Sequence, residues 1–240
     1  MSNYLIVGAS GGIGSQLTDY LQDKGHTVLL AQHNNPINQN TLVQSLTHIS
    51  SVEATDFDSV SDFFNYGVEK LGKIHGVVNL AGSILLKPAH KTSNDEFDHT
   101  INQNLKTSFS IVRSAGLLLE NASVVLISSA AASVGFSNHE AIAAAKAGIE
   151  GLARSAAATY SKKNIRFNVI APSLLDTPLA TGITSSPLAL KASEKMHPLG
   201  RIGTPRDVVN MIGLLLDEEN NWITGNVFPV SYTHLTLPTT

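Results

Sequence analysis

A 240-residue chain with 42% apolar and only 15% charged residues has the length for one α/β domain and the apolar mass for a large core. Its formal net charge of −3 leaves no basic footprint for nucleic acid, and the lack of any cysteine excludes disulfides and thiolate-ligated zinc. The first residues carry no basic-then-apolar leader, and no apolar run approaches the ~20 residues of a membrane helix, so a soluble, cytoplasmic protein is expected.

Residues 4–7 are a short apolar run closed by Gly8, the pattern of a buried parallel strand. Residues 12–24 follow with helical spacing, Ile13, Leu17, Tyr20 and Leu21 sharing a face, and Gly25 as the stop. A second buried strand spans 27–31, a polar loop 32–40, a short helix 41–46 and a weak third strand 51–55. A helix over 59–71 ends at Gly72, and a fourth strand runs over 74–80. A long helix is predicted for 94–119, a fifth strand for 123–127, an Ala-rich helix for 140–161 and a sixth strand for 165–170. Residues 205–216 form a helix with Thr204 as N-cap and Pro205 at the first helical position, and 227–230 are the last strand. Strands alternating with helices predict a Rossmann-like, doubly wound α/β fold, a parallel sheet of about seven strands with helices on both faces. Residues 1–230 read as one domain, and 231–240 as an atypical tail without core pattern or charge.

The first strand enters Gly8-Ala9-Ser10-Gly11-Gly12-Ile13-Gly14, where a helix begins. Glycines at a strand–turn–helix let the backbone approach a diphosphate, and the unbonded N–H groups and dipole of the helix start favour its charge. A tight turn without ligand is the plainer alternative; the position after the first strand of a βα unit favours the dinucleotide.

Here the sequence resembles the short-chain dehydrogenase/reductase family, with Val7 where that family typically has Thr before its Gly-x-x-x-Gly-x-Gly. The likeness runs over about residues 3–230. Asn79-Leu80-Ala81-Gly82 resembles the family's Asn-Asn-Ala-Gly, Asn104 its helix asparagine, and Pro172-Ser173 with Thr177 its Pro-Gly segment and nicotinamide-amide Thr. The resemblance implies that Gly8, Ser10, Gly11, Gly12, Ile13, Gly14, Asn79, Ala81, Gly82, Lys146, Pro172 and Thr177 contact the cofactor, with Asp56 at the adenine ring. It also implies a homodimer or homotetramer paired through helices 103–119 and 140–161, and a small carbonyl or alcohol substrate; residues 179–200, with Pro187, Leu188, Leu190 and Met196, read as an apolar flap over that substrate.

The second strand ends Ala31-Gln32-His33, with no Asp or Glu to accept from a ribose 2′-hydroxyl. His33, when protonated, would assist a 2′-phosphate; an exposed loop histidine is the other reading. This favours NADP over NAD by a narrow margin.

The family chemistry is hydride transfer, with a Tyr as acid/base, a Lys one helical turn later and a Ser orienting the substrate oxygen. Ser129 and Lys146 match the serine and the lysine. Four residues before Lys146 and thirteen after Ser129 both lead to Ile142, which cannot transfer a proton. His139 is the nearest upstream titratable group, either a substitute acid/base or an ordinary loop histidine. His48, His75, His90, His99, His197 and His234 show no His-x-x-x-His spacing; they read as surface or loop residues, and no metal is expected. The expected function is therefore an NAD(P)-dependent oxidoreductase, impaired or atypical at its acid/base. A dinucleotide-binding sensor or inactive partner subunit, and an assembly protein with an empty site, are the alternatives.

Overall fold

The computed structural model describes residues 1–231. Seven strands form one parallel sheet: β1 Asn3–Val7, β2 Thr27–Gln32, β3 Thr47–Ser51, β4 Gly76–Asn79, β5 Ala122–Ile127, β6 Ile165–Pro172 and β7 Val227–Val230. Their order is β3-β2-β1-β4-β5-β6-β7. The order reverses between β1 and β4, which opens a crevice at the carboxyl ends of the strands, where open α/β sheets bind ligands.

Strand side chains alternate between two cores. Leu5 and Val7 of β1 face α2 (Phe57–Leu71), α4 (Thr107–Leu118) and α5 (Glu140–Thr159), among Phe63, Ile111 and Ile149. Tyr4 and Ile6 face the other way, against Leu17 of α1 (Gly12–Asp23) and Ile212 of α8 (Pro205–Leu216). Each fully buried aliphatic side chain contributes about 1.5–3 kcal/mol, so both faces of the sheet are held tightly. Among the described residues no helix is long and apolar enough to cross a membrane, and no group of three or more His, Asp or Glu is arranged to hold a metal.

Most predicted elements stand within a residue or two of their expected ends. The third strand is displaced: it runs Thr47–Ser51 instead of 51–55, pairing Val28 with Thr47 and Gln32 with Ser51. As an edge strand of sequence THISS it is only half-buried and lacks the apolar run that marks the others. The helix expected at 41–46 is replaced by two 3₁₀ turns, Gln39–Thr41 and Gln44–Leu46. The helix expected over 94–119 is α3 (Asn94–Ile101) continued into α4 through one π-helical turn, Asn102–Lys106. The expected N-cap of α8 is present as a capping box of Thr204 and Asp207, with Pro205 leading the helix. Of the tail 231–240, only Ser231 falls within the described residues.

Candidate active site

The glycine turn is backed directly against the start of the segment after β4. Gly8 has φ +81°, and a Cβ there would stand 2.7 Å from the Ala81 nitrogen and the Leu80 carbonyl carbon. A Cβ on Gly14 would stand 2.6 Å from the Ala9 Cα and would also meet the Gly8 carbonyl oxygen. Only glycine lets the turn fold this close. Gly11, the N-cap of α1, donates its N–H back to the Gly8 carbonyl and offers no capping side chain. The first N–H groups of α1 therefore lack the usual side-chain acceptor, beside exposed Ser10 and Gly11. A backbone cradle that side chains would fill, at a helix amino end, fits a dinucleotide diphosphate.

From this turn a cleft of about 390 Å³ runs along the carboxyl ends of the strands. Ile13, Ala81, Gly82, Pro172 and Thr177 line it. Asn104, Ser129, His139, Ile142 and Lys146 line it too, with Gly82 against Asn104 and Lys146. Gly12 packs by the same wall, with Thr177 and Pro178 3.2 Å from where its Cβ would be. The sequence-predicted catalytic set is thus assembled in one place.

Ser129 follows β5, and its Oγ accepts from the Ala131 N–H at 3.2 Å, opening a short 3₁₀ turn. Lys146 rises from α5 one turn after Ile142, and its Nζ donates to the Ile127 carbonyl at 3.0 Å. Burial lowers the ammonium's pKa from 10.5 to about 8. Ile142 is 5% exposed, an apolar wall where the family resemblance places a phenol. Asn104 sits in the π turn, wholly buried; its amide donates to the Thr100 carbonyl at 2.9 Å and to Ser83 Oγ at 3.2 Å. Single π turns inside α-helices frequently occur at functional sites, and Asn104 lines the cleft. Asn79 ends β4; its Oδ1 accepts from the Ala81 N–H at 3.1 Å and its Nδ2 donates to Ser108 Oγ at 3.2 Å, fixing the segment beside the glycines. His139 is the N-cap of α5, its Nδ1 2.8 Å from the Ser137 carbonyl and its ring 5.3 Å from that of Phe136.

The remaining predicted residues lie at the other end of the crevice. His33 leaves β2 and pairs with Glu53, Nε2 to Oε2 at 3.1 Å, both side chains roughly half exposed. Hydrogen bonds from Thr55, side chain and backbone, hold the Glu53 carboxyl below its ordinary range. Asp56 does not face this pair with a free carboxylate: it caps α2, its Oδ1 accepting from the Ser59 N–H at 2.7 Å. Glu53 was not singled out from the sequence, because the displaced third strand hid its place just past the strand end.

The larger omission is His197. The sequence reads it as a surface or loop residue, yet it is 3% exposed and lines the cleft. Its Nε2 lies 2.8 Å from Ser173 Oγ and its Nδ1 2.7 Å from the Ser193 carbonyl. No spacing signals this pair, since 24 residues separate its members. The predicted flap contains α6 (Thr181–Thr184) and α7 (Pro187–Met196), whose carboxyl end carries His197 over the cleft.

Residues 8–232 match the family described as enoyl-(acyl carrier protein) reductase. The 3-oxoacyl-[acyl-carrier-protein] reductase FabG of Thermotoga maritima is 28% identical over 235 residues, covering 94% of each chain. A short-chain type dehydrogenase/reductase from Mycobacterium ulcerans superposes with a TM-score of 0.87 at 26% identity, over 95% of this chain and 88% of that one. ElxO with NADP bound superposes at 0.85 and 26% identity, over 95% of this chain and 96% of that one. The chain belongs to the short-chain dehydrogenase/reductase family of oxidoreductases.

Proposed function

We propose that this protein is an NAD(P)-dependent oxidoreductase that moves a hydride between a nicotinamide dinucleotide and the carbonyl or alcohol carbon of a small substrate, with NADP favoured over NAD. The observation that carries the reading is continuity: the glycine turn and a cleft holding Ser129, Lys146 and Asn104 share Ile13 as a common wall. In this reading Gly8, Ser10, Gly11, Gly12, Ile13 and Gly14 hold the diphosphate on backbone N–H groups. Asn79, Ala81, Gly82, Pro172 and Thr177 border the nicotinamide half, while His33 and Asp56 stand at the adenosine end. The bound dinucleotide supplies or accepts the hydride. ElxO, of similar fold over nearly its whole length, has been solved with NADP bound, which supports that choice.

Ser129 accepts from a backbone N–H and keeps its own proton to donate to the substrate oxygen. Lys146 places an ammonium of lowered pKa at the floor of the cleft, next to the ribose position. Asn104, through Ser83, fixes the backbone beside Gly82. Ile142 moves no proton, so turnover runs with an atypical donor; His139, at the cleft mouth, is the outer of the two histidines there. The cleft is predominantly apolar, and FabG is named as a reductase of a 3-oxoacyl group, which together support a carbonyl on an apolar chain. Phe109 of α4 is 47% exposed, a face suited to pairing of subunits in a homodimer or homotetramer.

Titration of nucleotide fluorescence with NADPH and NADH, followed by a carbonyl screen, tests the reading. Binding with consumption is expected. Binding without consumption supports the second reading, a dinucleotide sensor or inactive partner subunit, which the buried isoleucine at position 142 favours.

A further inference from the structure

We propose that Ser173 and His197 form a proton-delivery couple that supplies the substrate oxygen from the wall of the cleft, in place of the absent phenol. The inference rests on the oxidoreductase reading and names the donor which that reading leaves open. The His197 Nδ1 lies 2.7 Å from the Ser193 carbonyl, which can only accept, so Nδ1 carries a proton in both charge states. In the neutral ring Nε2 is then bare and accepts the Ser173 hydroxyl proton at 2.8 Å; in the imidazolium it donates to Ser173 Oγ. A hydroxyl, a ring nitrogen in contact with it and a third group that fixes the ring are the parts of an activated proton-transfer unit.

The position suits the task. β5 and β6 are neighbours, with Ile127 opposite Ile170, and Ser129 and Ser173 follow within two residues of their carboxyl ends. Ser129, Ile142, Ser173 and His197 line the same cleft. Ser173 is held there by its N–H, which donates to the Val230 carbonyl at 3.2 Å. Ser173 is half-buried, His197 is buried, and both line the cleft. The titratable side chains that share the cleft are Lys146 and His139. On the segments that carry the couple, Asp176, Lys191 and Lys195 are exposed and Glu194 is half-buried.

In the reduction, a bound dihydronicotinamide would supply the hydride that forms the C–H bond at the carbonyl carbon, with the C=O π pair moving to oxygen. That oxygen takes the Ser173 proton, Ser173 Oγ takes the Nε2 proton of the His197 imidazolium, and neutral imidazole remains to be reprotonated from solvent. Oxidation of the alcohol is the reverse, with neutral His197 as base. Ser173 is the catalytic residue; His197 acts through it.

The test uses the full chain, NADPH and a panel of ethyl acetoacetate, 2,3-butanedione and benzaldehyde, with nucleotide affinity read separately by fluorescence. Ser173→Ala lowers kcat about 10²-fold or more, the worth of a positioned acid, and leaves NADPH affinity within about 3-fold; Ser173→Thr restores most of it. His197→Gln keeps a hydrogen bond to Ser173 without a titrating group, so kcat falls and one limb of the pH profile disappears. Ile142→Tyr rescues Ser173→Ala, because a phenol replaces the missing donor. Wild-type kcat in Ser173→Ala or His197→Gln, no rescue by Ile142→Tyr, or loss of turnover in His139→Ala alone overturns the couple. A wild-type chain that binds NADPH but reduces nothing also overturns it, while the nucleotide site stands. If no nucleotide binds, the oxidoreductase reading fails, and ¹⁵N spectra of the imidazoles judge the couple alone. A bare, Ser173-sensitive Nε2 on His197 keeps it, and a resonance unmoved by Ser173→Ala ends it.

Discussion

Ile142 and Lys146 stand one turn apart on α5 and both line the cleft, so an apolar side chain occupies the place from which a phenol would reach the same space as the ammonium. Because Ile142 borders a cleft of about 390 Å³, a larger side chain has room to enter it. Ile142→Tyr is expected to raise reductase activity about 10²-fold in the Ser173→Ala background, where no other positioned acid remains. Steady-state kinetics with the carbonyl panel measure it; an intact fold with no gain would overturn the placement of Ile142 at the acid/base position.

Lys146 makes stability depend on alkaline pH. Its folded pKa is about 8 and its ordinary value 10.5, so between these limits the unfolded chain binds more protons than the native one. Stability therefore rises with pH across that window, and below about pH 8 the native state carries the full penalty of a buried charge, on the order of 3 kcal/mol. Lys146→Met removes this term. Denaturant unfolding of the nucleotide-free proteins at pH 7.5 and pH 10 should show a gain in the wild type that the variant lacks. Parallel pH responses would refute the buried ammonium.

The sheet was legible because its central strands are continuous apolar runs: residues 4–7, 27–31 and 123–127 each predict a strand that is there. β3 was misplaced because an edge strand buried on one side only, THISS, carries no such run. Ser129, Lys146 and Asn104 came from the family resemblance, and the structure brings them to one cleft. Asp56, in a matching stretch, caps α2 with one carboxylate oxygen, and Glu53 is the carboxylate facing His33. The Ser173–His197 pair was invisible because side chains 24 residues apart meet only through the path of α6 and α7.

Two glycines separate backbone strain from crowding. Gly8 and Gly25 both have positive φ, +81° and +75°, but a Cβ on Gly25 meets nothing within 4 Å while one on Gly8 meets the Leu80–Ala81 backbone at 2.7 Å. Gly25→Ala should cost only the left-handed backbone penalty, about 1–2 kcal/mol. Gly8→Ala should add about 1–3 kcal/mol of overpacking and weaken NADPH binding at least 10-fold. Equal costs in chemical denaturation, or unchanged nucleotide affinity in Gly8→Ala, would contradict the tight cradle.

Cofactor choice should turn on the His33–Glu53 pair. Glu53 is held ionised by Thr55, and its Oε2 lies 3.1 Å from His33 Nε2. A bare carboxylate at the end of β2 accepts from a ribose 2′-hydroxyl and repels a 2′-phosphate; His33, by covering Glu53, weakens both effects. Removing the cover with His33→Ala should weaken NADPH binding about 2-fold to 5-fold relative to NADH. Glu53→Gln should shift the ratio toward NADPH by a similar factor, since half-exposed charges interact by only ~0.2–1 kcal/mol. In the double variant the effect of His33→Ala should largely vanish, because no carboxylate is left to uncover. Fluorescence titrations of the four proteins with both nucleotides decide it: ratios that stay constant across the set would mean the adenosine ribose does not lie against this pair.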